Sequence, residues 1–453
     1  MGYVIRAKAR YRSDNTGREV VLPALLTEKG VLISHLRYLA KHQARSQRWH
    51  DRAVFAMSLL LRYIHANQDI FDNPTKLLES FTHCLFLGTV NPVDLTDPSG
   101  LYWQPRAFND ANNLLRHITV YTDHLARQPD HDGKLINPFR RATGYEERMN
   151  WCAYYHYKSK VFLNHLEDAD AVKARNWLVR DVVGRRAPAW DYEEVKRFPE
   201  NRIDELLEQG FIRRDLQRRK EDFSPECLKD YKCILITMLM HYGGVRKSEA
   251  IGLYTEDVFF DPTTKYALVR VYHPSIGESP SQKYGSRREY LAKRYYLKPR
   301  TDYPTSKRVH LGWKGAVIKK TGGFFVVEFF PPEKALEFND VFQKYLKYQR
   351  VRPSNDSDHP YLFTTAEGKP ENVKNFQRLY RAAVLRIGLA PNKYHGTTEH
   401  GHRHAYGYRL HEEYGFTQIE IQKAMHHKDE NSCLVYIQPT SRDLRDKVRV
   451  LDD

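Results

Sequence analysis

Residues 399–410 read EHGHRHAYGYRL, and how this stretch folds decides what the second half of the chain is. On a helix, His400 and Arg403 stand three residues apart and share one face. A second stretch, GGVRKSEAIGL over 243–253, reads as a helix broken by Gly243-Gly244 just before Arg246, with Glu249 one turn on. A third, IQKAMHHK over 421–428, ends in His426 and His427, and Tyr436 follows nine residues after His427. Taken singly, each is an ordinary helix with solvated cations. Their order along the chain (Arg, His-x-x-Arg, His, Tyr) fits a phosphoryl-transfer site. A phosphodiester under attack gathers negative charge on its non-bridging oxygens, which two guanidiniums clamp in bidentate fashion and a histidine shares. Tyr436 would attack the phosphorus. Its free pKa is about 10, so a cationic site must favour the phenolate, and the aryl phosphate ester it forms keeps the bond energy needed for resealing. His426 and His427 point about 100° apart on a helix, and the nine-residue step to Tyr436 favours His427.

Outward from these motifs, Pro199 opens a helix with Ile203, Leu206 and Leu207 on one face and Gly210 at its end. Residues 228–242 are apolar enough for a buried helix. Strands are expected over 267–273, 307–311 and 324–330, and helices from Ala335, Asn372, His400 and Gln418. That order is α+β, not a repeating βαβ.

Towards the start, residues 3–22 alternate around Asp14-Asn15-Thr16-Gly17 and predict a short basic hairpin, an edge ribbon or a DNA-contacting arm. Val54, Met57, Leu61 and Ile64 recur at helical spacing, followed by Leu77, Phe81, Cys84 and Leu85. Further helices are expected over 108–125 and 151–166, the second carrying the string Tyr154-Tyr155-His156-Tyr157-Lys158. Gly184-Arg-Arg-Ala-Pro188 reads as a basic linker. The expected division is a hairpin or arm over 1–40, a helical domain over 41–183, a linker over 184–198, a catalytic domain over 199–436 and a tail over 437–453.

A chain of 453 residues exceeds what one core usually holds. Lysine and arginine number 72 against 56 acidic residues, a net charge of +16, which calls for a polyanionic partner. The sequence has no apolar run of transmembrane length and no leader-like start, so the expectation is a soluble, cytoplasmic, DNA-associated protein with no membrane partner. The five cysteines are scattered and never spaced C-x-x-C, which argues against a disulfide framework or structural zinc.

These motifs resemble the tyrosine recombinase (phage-type integrase) family, whose catalytic domain carries G-hydrophobic-R-x-S-E, then H-x-L-R-H, then L-G-H, then the nucleophilic tyrosine. The resemblance runs from about Pro199 to the end of the chain. It takes in residues 359–383, HPYLFTTAEGKPENVKNFQRLYRAA, which are similar to the segment before the H-x-x-R helix. It departs at His402, where the family usually has Leu, and at His426, where it usually has Gly.

The resemblance implies a multidomain fold: an N-terminal, mostly α-helical, core-binding-like DNA-binding domain and a C-terminal mixed α+β tyrosine-recombinase catalytic domain. It implies that Arg246 and Arg403 bind the scissile phosphate, that His400 donates a hydrogen bond or moves a proton, that His427 contacts the phosphate, and that Glu249 is structural. The family also has a lysine on a β-hairpin that protonates the departing 5′ oxygen. Here that hairpin carries a long basic insertion near 274–306, and Lys298 is preferred to Lys307 for the role. The implied activity is site-specific DNA cleavage and rejoining through a 3′-phosphotyrosine, with no cofactor and no metal. The implied partner is double-stranded DNA, bound by a homo-tetramer on two sites, with room for accessory proteins. The basic runs 213–220 and 283–300 would contact phosphates.

Four other readings compete with this one. The histidines at 400, 402, 404, 411, 426 and 427 suggest a metal hydrolase, but His411-Glu412-Glu413 does not continue as H-E-x-x-H. A phospholipase-type H-x-K-x-x-x-x-D motif fails at Cys433. A non-catalytic DNA-binding regulator and a type IB topoisomerase share the fold, the first without the chemistry.

Overall fold

The structure, a computed structural model, describes residues 3–12, 15, 19–130, 133–158, 168–186, 196–213, 224–354 and 358–437. Several expected features lie outside the described residues: most of the 14–17 turn, the helix beyond 158, linker residues 187–195, the basic run 214–220 and the tail after 437. The chain divides into two compact units, Met1–Ala189 and Trp190–Asp453.

In the first unit β1 (Val4–Arg12) pairs antiparallel with β2 (Glu19–Thr27) from Val4↔Thr27 to Arg12↔Glu19, and β3 (Gly30–Val31) extends β2. Four helices follow: α1 (Ile33–Lys41), α2 (Gln47–Ala66), α3 (Pro74–Leu87) and α4 (Phe108–Ala126). Helix α2 starts seven residues before Val54, where its apolar pattern begins, because its first turn is set by Ser46, whose hydroxyl accepts from the Trp49 N–H at 3.3 Å. Asn73 caps α3, with Pro74 in its first turn.

The expected hairpin over 1–40 is no separate arm. Val4, Leu22, Ala24 and Leu25 are buried in the same core as Leu39, Val54, Phe81 and Ile118, because alternate strand residues face the helices. Beyond α4, β4 (Phe139–Arg141) pairs with β5 (Leu178–Arg180), enclosing α5 (Gly144–Lys158) and α6 (Ala169–Asn176). Helix α5 buries none of its residues; its aromatic string lies at the surface, with Trp151 stacked on Tyr155.

The second unit is built around α7 (Tyr231–His241), an eleven-residue helix buried along its whole length. Such a helix is apolar on every side and must be surrounded. Packed against it are α8 (Lys247–Ile251), α10 (Lys334–Tyr348), α11 (Val373–Arg386) and α12 (Glu399–Glu412). A small antiparallel sheet, β6 (Val258–Phe260), β7 (Ala267–Tyr272) and β8 (Phe324–Val326), has β7 in the middle.

The strand expected over 307–311 does not form, since both edges of β7 are already taken. That segment is held by Arg300 instead, whose Nε donates to the Val309 carbonyl at 2.7 Å, while the Leu311 N–H donates to the Arg300 carbonyl at 3.2 Å. The connection between β7 and β8 thus reaches to residue 323, past the expected 306. It carries α9 (Arg287–Tyr295), seated by Arg287, which pairs with Asp257 and lies 4.1 Å from the ring centres of both Tyr254 and Tyr272. The basic run 283–300 is therefore not wholly available to phosphates: Arg287 and Arg300 are buried. Phe198, the last residue of the expected linker, is fully buried in the second unit's core, and its N–H donates to the Gly401 carbonyl at 3.1 Å.

The first unit offers a direct stability test. Leu25 is 1% exposed on β2, and Leu25→Ala is expected to cost about 2–5 kcal/mol, read as a lower midpoint for the first unit in urea unfolding. A ribbon lying free on the surface would give a change near zero.

Candidate active site

The site begins where α7 stops. Gly244 adopts φ +61°, and a Cβ there would stand 2.4 Å from the Tyr406 ring, so only glycine lets the chain turn this close to α12. The turn delivers Arg246 as the cap of α8. Glu249, 4% exposed, accepts from the Arg246 backbone N–H at 3.1 Å and from its guanidinium at 2.9 Å, fixing both ends of the side chain.

Helix α12 presents His400, Arg403, His404 and Gly407 on one face. Arg403 is buried and donates to the Gly244 carbonyl and, at 2.7 Å, to the Met425 carbonyl. Burial first, and the charge of Arg246 second, lower its pKa to about 10. Gly407 makes room for Tyr436: a Cβ there would lie 2.8 Å from the phenol ring. Tyr436, on α14 (Leu434–Ile437), is 8% exposed, and its hydroxyl lies 3.2 Å from Nδ1 of His404. Burial raises its pKa to about 12, opposed by the charges of Arg403 and Arg246.

His426 and His427 follow α13 (Gln418–Ala424), which ends one residue before Met425. The two are not one helical step apart, as expected, because His426 adopts a left-handed φ of +54° where the resembling family has glycine. Its ring stacks on Phe325 at 3.9 Å, while its carbonyl accepts from the Val317 N–H at 3.1 Å. His427 turns the other way; its Nδ1 lies 3.2 Å from the Cys433 sulfur, and Gln422 brackets its backbone on both sides. Partial burial and then Arg403 lower His400 to about 4, and burial and then Arg403 lower His427 to about 3. Burial lowers His426 to about 3 and His404 to about 4.

Arg246, Arg403, His400, His427 and Tyr436 thus lie around one another, and their electrostatic coupling runs through both guanidiniums. Lys298 and Lys307 are exposed, and among the described residues neither side chain has a hydrogen bond or ion pair to the cluster. The lysines whose charge does reach His400 are Lys314 and Lys247, and Lys247 is paired with Glu399 at 3.6 Å. Lys314 stands three residues before Val317, whose N–H is bound to His426.

The sequence reading leaves Lys314 out and counts His404 only among the histidines of a possible metal site. Helical spacing could have found His404, since positions 400, 403, 404 and 407 fall on one face. Nothing in the sequence distinguishes Lys314 from its neighbours. No group of three or more His, Cys, Asp or Glu among the described residues could hold a metal ion, and no helix among them is long and apolar enough to cross a membrane.

Behind the site lies a buried polar chain. Nδ1 of His241 faces Nδ1 of His402 at 3.0 Å, Nε2 of His402 meets the Tyr380 hydroxyl at 2.8 Å, and Arg409 binds both oxygens of Glu200 at 2.9 and 2.8 Å and the His241 and Phe330 carbonyls at 3.1 and 2.8 Å. The contact between the two Nδ1 atoms holds one hydrogen, which requires at least one neutral ring. Burial lowers the pKa of both.

The pH response follows from these shifts. A histidine held below 6.5 in the fold takes up its proton first in the unfolded chain. Its stabilising contribution is whole above about 6.5 and is lost as the pH falls towards the folded values of about 4 and 3. The thermal midpoint is expected to drop steadily between pH 7 and pH 5. A flat profile across that range would contradict the neutral-histidine site.

A search of curated proteins gives no match. Among solved structures the chain is similar to XerA recombinase, at 12% identity and TM-score 0.33, covering 93% of this chain and 98% of that one. It is similar to the Tn1549 transposon integrase in complex with transposon right end DNA, at 16% identity and TM-score 0.38, covering 88% and 99%. It is also similar to XerH site-specific recombinase bound to difH substrate, at 13% identity and TM-score 0.35, covering 84% and 97%. Residues 331–442, which include His400, Arg403, His427 and Tyr436, match the phage integrase family.

Proposed function

We propose that the protein is a site-specific DNA recombinase that cuts and rejoins strands by transesterification, with Tyr436 as the nucleophile. The observation that carries the reading is the meeting of Arg246 and Arg403, 157 residues apart in the chain, beside the Tyr436 hydroxyl. Two guanidiniums at one tyrosine suit a phosphodiester, whose added charge in the transition state they hold better than its ground-state charge.

In the forward step the Tyr436 oxygen bonds to phosphorus as the bond to the 5′ oxygen breaks. The strand's 3′ end stays on the tyrosine, and the 5′ oxygen leaves as a hydroxyl once it has gained a proton. Attack by that hydroxyl, or by one on another strand, reverses the step. The ester conserves the bond energy, so no nucleotide cofactor is needed. His427 and His400 supply hydrogen bonds to the phosphate oxygens. A Cys433 thiol donating to Nδ1 of His427 leaves that ring's hydrogen on Nε2, free for this purpose. For the proton to the 5′ oxygen, Lys314 replaces Lys298 as the preferred donor, since its charge acts on His400 and its segment is bound to His426.

Double-stranded DNA is the proposed partner, in keeping with the net charge of +16. Assembly of four protomers on two sites, and a cytoplasmic location, remain part of the same proposal.

Two outcomes are expected. Tyr436→Phe should abolish the covalent DNA adduct on a suicide substrate while leaving DNA affinity within about twofold, and Arg246→Ala should slow cleavage by about 10² or more; an adduct surviving in Tyr436→Phe would mean the nucleophile is another residue. Lys314→Ala should cleave poorly until the 5′ oxygen is replaced by sulfur, which leaves without a proton. Rescue of Lys298→Ala but not Lys314→Ala would return the role to Lys298.

A further inference from the structure

Proton transfer at the 5′ oxygen is half of the bookkeeping in strand transfer; the tyrosine's own hydrogen must also go somewhere. The Tyr436 hydroxyl is buried, and its hydrogen-bond partner is Nδ1 of His404, at 3.2 Å. Four of the other polar groups nearby are poorly suited. Arg246 and Arg403 have no lone pair to offer. Both oxygens of Glu249 already accept from Arg246. The Cys433 sulfur faces Nδ1 of His427, and burial keeps it a thiol.

We propose that His404 is a catalytic residue that takes the hydrogen of Tyr436 as the phosphorus is attacked and gives it back on resealing. This role rests on the strand-transfer reading above. The step balances. The Tyr436 O–H bond breaks and an N–H bond forms at Nδ1 of His404, while the new oxygen–phosphorus bond replaces the one to the 5′ oxygen, which takes a proton from Lys314. Resealing runs each transfer backwards and returns both groups to their starting forms.

Three features of the structure suit His404 to this work. Its ring is neutral in the DNA-free site, because burial, and with it the charges of Arg403 and Lys393, oppose protonation, so the lone pair on Nδ1 is available. A bound phosphodiester brings negative charge to the same cations, which raises the basicity of the ring when it is needed. The reach is also fixed. Gly407, one turn further along α12, seats the phenol ring against the helix, and the ring of His400 meets His404 edge-on at 4.4 Å and limits its rotation.

The test is single-turnover adduct formation by the full chain on a nicked suicide duplex. His404→Ala should slow adduct formation by about 100-fold, with DNA affinity within about threefold of the wild type. Added imidazole should restore the His404→Ala rate by about tenfold and leave the wild type unchanged, because a free base can enter the space the ring vacates. His404→Gln, which keeps a hydrogen-bonding group but cannot carry the proton, should be as slow as His404→Ala, and its DNA affinity checks that the fold is intact. A His404→Ala rate within about threefold of the wild type, or a slow rate with no response to imidazole, would overturn the role of His404 alone. A wild-type chain that forms no adduct would overturn the strand-transfer reading, and this role with it.

Discussion

The site depends on one buried cation. Arg403 reaches from α12 to the Gly244 carbonyl on one side and the Met425 carbonyl on the other, tying three segments that are distant in sequence: the turn after α7, the helix bearing His400 and His404, and the chain that leads to Tyr436. A guanidinium removed from water with no carboxylate bound to it among the described residues is expensive, and carbonyl dipoles offset only part of that cost. Its lowered pKa expresses the same imbalance. A bound phosphate would supply the missing negative charge, so the DNA-free protein holds a site whose largest unmet need is an anion.

That need shapes everything packed around it. Six histidines near the site or behind it are held neutral by burial and by neighbouring cations, which leaves them as hydrogen-bonding groups and keeps further positive charge out of an already cationic pocket. The polar chain through Glu200, Arg409, His241, His402 and Tyr380 binds α12 to α7 and α11 from the rear. Each buried polar group in it answers another, which specifies one seating of the helix where an apolar interface would tolerate several. His402 occupies a position where the resembling family usually has Leu, and it is what lets this chain use polar contacts there.

Much of this was legible in the sequence. The buried helix over 231–241 announced itself by apolar residues on every side, and Arg246, His400, Arg403, His427 and Tyr436 by their order. What was not legible involved long-range partners. The 307–311 segment carries a strand's pattern but finds no free edge on β7. The hairpin at 4–27 reads as a surface ribbon until its inward residues are seen to share a core with the helices. The choice between lysines turns on a similar point: in a connection that folds back on itself, nearness to the site is set by the Val317–His426 contact, not by position relative to a motif, and Lys314 is the proposed donor on that ground. The departure at His426 was visible, but its left-handed backbone was not, since few residues other than glycine adopt it.

The central claim is chemical, and the most direct test is to identify the atom that carries the DNA. Wild-type protein trapped on a nicked suicide duplex, digested and analysed by mass spectrometry, should yield a nucleotide bound through its 3′ phosphate to the peptide containing Tyr436. A phosphate found on any other residue, or no covalent complex with a duplex that the protein binds, would contradict the account.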